Sequence, residues 1–151
     1  MDMEFEDIPS SKIAYIRRIG SYGQENVLIM EELKKWAGSR DLLNEKSVIL
    51  GIAHDNPEAV KPENCRYDTC IIISEDCCID GDNVSEGSIP GGKYAVFKIG
   101  HTAEKVQKAW QSIFPELFRQ GLKSDETRPV MERYRAEMVK ENYCEICVPI
   151  D

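Results

Sequence analysis

Two spacings of apolar residues alternate along the chain, one of about two residues and one of about 3.6. Lys12-Ile13-Ala14-Tyr15-Ile16-Arg17-Arg18-Ile19-Gly20 predicts a strand that Gly20 ends. After the turn Ser21-Tyr22-Gly23, apolar residues recur at Val27, Ile29-Met30, Leu33 and Trp36-Ala37, the spacing of a helix that Gly38 would stop. Ser47 to His54 is β-rich and closes on the turn Asp55-Asn56-Pro57. A loop carrying Pro57 and Pro62 leads to a second β-rich run, Tyr67 to Ser74. Then the order repeats. Lys93 to Gly100 echoes the first strand, and Val106, Ala109-Trp110, Ile113 and Leu117 form the stripe of a helix from Thr102 to about Gln120. Thr102 is its expected N-cap, and Pro115 is expected to kink it or end its regular part. An extended segment, Arg128 to Tyr134, and a last strand, Tyr143 to Pro149, complete the second copy.

Strand, helix, strand, strand thus occurs twice, at an offset of about eighty residues. The expectation is one α+β domain over residues 1–151, with half-repeats at about 11–75 and 91–151. Residues 1–10 read as a loose lead-in and 76–90 as a connector. Neither half could cover its own sheet face. Joined, they predict a duplicated β-α-β-β fold with one antiparallel-rich sheet, two helices on one face, and a groove at the pseudo-two-fold, a favoured place for a ligand.

Arg128-Pro129-Val130-Met131-Glu132-Arg133-Tyr134 changes that picture from architecture to chemistry. Extended, it puts Val130, Glu132 and Tyr134 on one face and Met131 and Arg133 on the other. A carboxylate set between an aliphatic and an aromatic neighbour is ordinary if that face is solvated. If the face is buried, Glu132 is protonated, paired inside the protein, or open to a cation from outside.

Composition narrows the partners. A formal net charge of −8 and a pI near 4.9, with basic residues dispersed, exclude nucleic acid as the main direct partner. No apolar run approaches membrane-spanning length and Met1-Asp2-Met3-Glu4 is no signal peptide, so no membrane role and a cytoplasmic location are expected. Of the six cysteines, Cys144 and Cys147 have CxxC spacing but fall in a strand, where they point to opposite faces. No metal, cofactor or disulfide is therefore expected.

Four segments resemble one family. Leu50-Gly51-Ile52-Ala53-His54-Asp55-Asn56-Pro57 with Cys65-Arg66-Tyr67-Asp68 is similar to a hallmark of the GyrI-like effector-binding superfamily. Gly91-Gly92-Lys93-Tyr94-Ala95-Val96-Phe97 with Trp110, then Arg128 to Tyr134, then Glu145-Ile146-Cys147-Val148-Pro149-Ile150, resemble the others in order. The resemblance implies a central ligand pocket. The family includes a gyrase-inhibitory protein, drug-binding domains of multidrug-responsive activators, and stand-alone hydrolases of cyclopropane-containing alkylating toxins. In the drug-binding members a buried Glu matching Glu132 faces lipophilic cations, and a second acidic position on the last strand looks like Glu145. The chain departs from the family at Gly100-His101-Thr102, where many members carry Pro or Ser after the glycine, and at Cys147, where an aromatic is common. It has no room for the DNA-binding domain of the activators, so any transcriptional role is expected to act through a partner.

The expected ligand-binding residues are Glu132, Tyr134, Trp110, Tyr22, Glu145 and Cys147. Trp110 offers a cation–π surface and Tyr22 would line the other half-site. The leading expectation is a stand-alone module for lipophilic or cationic small molecules. The alternative is a hydrolase of cyclopropane-containing electrophiles, with Glu132 as general base and Tyr134 as hydroxyl donor. A third reading is modulation of DNA gyrase by protein contact. His54 and His101 sit at turns and are expected to be exposed.

Overall fold

The computed structural model describes every residue except Met1, Gln24, Pro57 and residues 80–82. The expected turn residue Pro57, the first residue of the lead-in and the middle of the connector thus lie outside the described residues. In chain order the elements are β1 (Met3–Ile8), β2 (Ser11–Ile19), α1 (Glu25–Ser39), β3 (Val48–Ala53), β4 (Arg66–Ile73), β5 (Ser85–Ile89), β6 (Gly92–Gly100), α2 (Ala103–Arg119), β7 (Met131–Arg135), the short α3 (Ala136–Val139) and β8 (Tyr143–Pro149). One antiparallel sheet holds all the strands in the order β1-β6-β8-β7-β3-β4-β2-β5. Read outward from its centre, that order runs β3-β4-β2-β5 on one side and β7-β8-β6-β1 on the other, so the halves meet where β3 pairs with β7.

Two stretches expected to be irregular are strands. The lead-in contains β1, which pairs with β6, and the connector contains β5, which pairs with β2. Each is an edge strand with one buried apolar residue, Ile8 or Ile89, so neither shows the alternation of a two-sided strand. Each lies on the opposite half. Ile8 is opposite Gly92 and Ser11 is opposite Ile89, so the links through Pro9-Ser10 and Pro90-Gly91 run beside one another. The Gly91 amide donates to Ser10 Oγ at 2.9 Å.

This exchange curls the sheet. One cluster draws a buried residue from every strand (Ile8, Ile13, Leu50, Cys70, Ile89, Tyr94, Met131 and Cys147 among them), and the sheet wraps around it on the face that carries no helix. The other face carries α1 over Ala14, Ile16, Ile49 and Ile71, and α2 over Ala95, Phe97, Ile146 and Val148. Tyr134 packs against both of these helix-side clusters. Thr102 caps α2, its side chain accepting the Lys105 amide at 3.2 Å. The helix runs through Pro115 to Arg119, because that proline sits on the exposed side, where water can satisfy the carbonyl it leaves free.

Candidate functional site

The seam between β3 and β7 is where the two halves of the sheet meet. In the register, Glu132 faces Gly51 on one side and Ile146 on the other, and it projects towards the helices. Its neighbours Met131 and Arg133 project into the opposite face, as the alternation requires. Tyr134, two residues on, shares the helix side with Glu132.

A cleft of about 580 Å³ opens over Glu132. Tyr22 and Gly23, from the turn before α1, form one wall. The other is built from the turn and first turns of α2, chiefly His101, Val106, Gln107 and Trp110, with Glu132 and Tyr134 at the base. Four of the six expected residues are thus brought together: Glu132, Tyr134, Trp110 and Tyr22. The Tyr22 hydroxyl donates to the Arg66 carbonyl at 2.7 Å and accepts the Asp55 amide at 3.1 Å, which fixes its ring on the rim.

Two donors hold the Glu132 carboxylate. The indole N–H of Trp110 donates to Oε2 at 3.2 Å and the hydroxyl of Tyr67 to Oε1 at 3.3 Å. Both are neutral, as is the hydroxyl of Tyr134 at the base of the cleft. Desolvation pushes the Glu132 pKa above the usual carboxylate range, and these neutral groups pull only part of it back. The same burial, with the adjacent carboxylate, pushes the Tyr67 and Tyr134 hydroxyls far above the usual tyrosine range, so both are protonated donors at neutral pH.

Glu145 and Cys147 are not in this cleft. On β8 they alternate with Ile146, which lies on the Glu132 side, so both project to the helix-free face. Glu145 is an ion-pair residue, 5 % exposed, that accepts from Arg133 Nε and Arg135 Nε at 2.9 Å. Arg133 also grips Glu6 of β1 through two 2.9 Å bonds. Cys147 is fully buried in the central cluster, its thiol pushed up to about 12 by burial. Its CxxC partner Cys144 lies in the helix-side cluster.

Tyr67 and His101 were missed as site residues. Tyr67 belongs to β4, one strand removed from β7, and reaches Glu132 only by crossing β3; nothing local in Cys65-Arg66-Tyr67-Asp68 signals that reach. His101 is exposed, as its turn position predicts, yet it borders the cleft with its ring edge-on to Tyr134 at 5.4 Å between centroids. His54 instead bonds the buried Asp68 at 2.7 Å, away from the cleft. Among the described residues no cluster of His, Cys, Asp and Glu could hold a metal ion.

The whole chain, residues 1–151, matches the family model of the GyrI-like small molecule binding domain. The chain belongs to the GyrI-like family. Within it, the chain is 40% identical over 151 residues to the SPbeta prophage-derived protein YosT of Bacillus subtilis (strain 168), provisionally named a transcriptional regulator, with 99% of each covered. It is 26% identical over 148 residues to a protein of Cronobacter turicensis named DNA gyrase inhibitor, covering 97% of this chain and 93% of that one. Among solved structures, the C-terminal domain of EcmrR superposes with a TM-score of 0.75 at 15% identity, over 99% of this chain and 97% of that one. SAV2435, solved with tetraphenylphosphonium bound, superposes with a TM-score of 0.62 at 15% identity, over 100% and 94% of the two chains. At such identities these structures show that the GyrI-like fold is shared. No helix among the described residues is long and apolar enough to cross a membrane.

Proposed function

We propose that this GyrI-like domain is a receptor for lipophilic cations and that Glu132 supplies the counter-charge. The observation that carries the reading is a desolvated carboxylate at the base of an aromatic cleft, held by two neutral donors and, among the described residues, by no cationic side chain. Donors of that kind orient the carboxylate and leave its charge uncompensated, which a bound cation would correct. Tyr22, Tyr134 and Trp110 supply ring surface for the apolar body of such a ligand. The tetraphenylphosphonium in SAV2435 supports the same chemistry for a protein of this fold.

Titration of the protein with tetraphenylphosphonium, read by Trp110 fluorescence in a Trp36→Phe background, tests this. Saturable quenching is expected, with affinity falling at least about tenfold in Glu132→Gln. Equal binding by the two proteins would remove the carboxylate from the account.

A second reading has one observation in its favour: a protonated tyrosine hydroxyl, that of Tyr67, bonds the carboxylate, and that of Tyr134 shares the cleft with it. Glu132 could take a proton from a water whose oxygen attacks an electrophilic cyclopropane carbon. The ring C–C bond would break, its electron pair would collect on the activating carbonyl beside a tyrosine donor, and the proton would return to carbon. Mass-identified turnover of such a compound, abolished in Glu132→Gln, would establish this activity. The name of the Cronobacter relative motivates a third measurement, gyrase supercoiling, where a contact made by the outer surface would be indifferent to Glu132→Gln.

A further inference from the structure

The sheet is built from two matching halves, and at its central seam the two halves present different residues at the same place. Gly51 of β3 and Glu132 of β7 are register partners of one another. Each occupies the corresponding position in its own half. Gly51 also faces Thr69 of β4, and Glu132 faces Ile146 of β8, so the pairing continues outward in the same way on both sides. The pseudo-two-fold therefore passes through the Gly51–Glu132 pair.

Glycine at that place is a surprising choice for a buried central strand, where it lowers strand propensity and leaves nothing to pack. Its backbone requires no left-handed conformation. The space beside it explains the choice. A Cβ on Gly51 would overlap the hydroxyl of Tyr67, and it would come within 3.1 Å of both the Tyr67 ring and Glu132 Oε1. The volume that a side chain would fill is the path by which a tyrosine from β4 crosses β3 to reach β7.

We propose that Gly51 is a positioning residue of this site: its missing side chain admits the Tyr67 hydroxyl to Glu132, so that a donor from one half of the molecule orients the carboxylate of the other. The inference deepens the receptor reading and rests on it only for the effect on ligand affinity. Gly51 touches no ligand in this account and acts through Tyr67.

The test has two arms. The first needs no ligand: the indole N–H resonance of Trp110, which bonds Glu132, is followed by NMR against pH as a reporter of Glu132 ionisation. Tyr67→Phe removes a bond that favours the ionised form, so its midpoint moves to higher pH than in the wild type. Gly51→Ala moves it the same way, and Gly51→Ala/Tyr67→Phe moves it no further than Tyr67→Phe alone. A Gly51→Ala midpoint equal to the wild type, or a double variant in which the two shifts add, overturns the proposal. Should Gly51→Ala not fold, the double variant decides, because a ring without its hydroxyl can retreat by the few tenths of an ångström that the new Cβ demands. A folded double variant supports the role, and an unfolded one overturns it. In the second arm, Gly51→Ala and Tyr67→Phe each weaken tetraphenylphosphonium binding by about tenfold and do not compound. Absence of binding to the wild type would sink the receptor reading and leave the titration to decide the role of Gly51.

Discussion

Above its raised pKa, Glu132 holds a charge that the cleft desolvates and that its two neutral donors only partly stabilise. Between the ordinary Glu value and the raised one, the folded chain keeps a proton that the unfolded chain has lost, so stability falls as pH rises through that window and then levels off. Glu132→Gln removes the term. It should melt a few degrees above the wild type at pH 7, and the gap should close as the pH is lowered towards the ordinary Glu range, followed by differential scanning calorimetry. Thiol reactivity separates the cysteines on the same principle. Cys144 and Cys147 are both pushed up to about 12 and are buried, whereas Cys78 is exposed. Brief alkylation at neutral pH should label Cys78 first, with Cys144 and Cys147 reacting only on unfolding, as read by peptide mass mapping. The alternation around Glu132 is legible in seven residues, which is why the sequence alone puts Glu132 and Tyr134 on one face. The same alternation, applied to β8 in register with β7, puts Glu145 and Cys147 on the face away from the cleft; that register is a property of pairing and not of either segment.

At the scale of elements, one acid in what looks like a solvated tail helps to fasten the first strand. Met3-Glu4-Phe5-Glu6-Asp7-Ile8 carries three acids in six residues, and the partner of Glu6 is Arg133, far along the chain on β7. Hydrogen bonding to Arg133 holds the Glu6 carboxyl below the usual range, so its contribution is present above the ordinary Glu value and fades as pH drops through the lowered one. Because Glu6 is partly exposed, Glu6→Gln should cost only about 1 kcal/mol, and should raise hydrogen exchange in Met3–Ile8 above that in β6. Arg133→Met is the harsher change. It leaves Glu145 buried with Arg135 alone, and chemical denaturation should report a loss of about 3 kcal/mol. Edge strands with one neighbour and one buried apolar residue leave little pattern to read, whereas β2, β3, β4, β6, β8 and both long helices announced themselves within a residue or two.

For the molecule as a whole, the exchange of β1 and β5 means that neither half owns all the strands it needs. A fragment ending at Asn83 and one beginning at Val84 should each lack the far-UV spectrum of the intact chain and should regain much of it when mixed. Independent folding of either fragment would contradict the topology.

The seam carries a last consequence. Were the two halves separate, identical polypeptides associating as a dimer, the residue at the axis would necessarily appear twice. Two glutamates there would repel and share a proton, and two glycines would offer a guest no charge at all. Tying both copies into one polypeptide lets the two symmetry-related positions differ, so one half supplies a single carboxylate and the other leaves its place to a tyrosine ring.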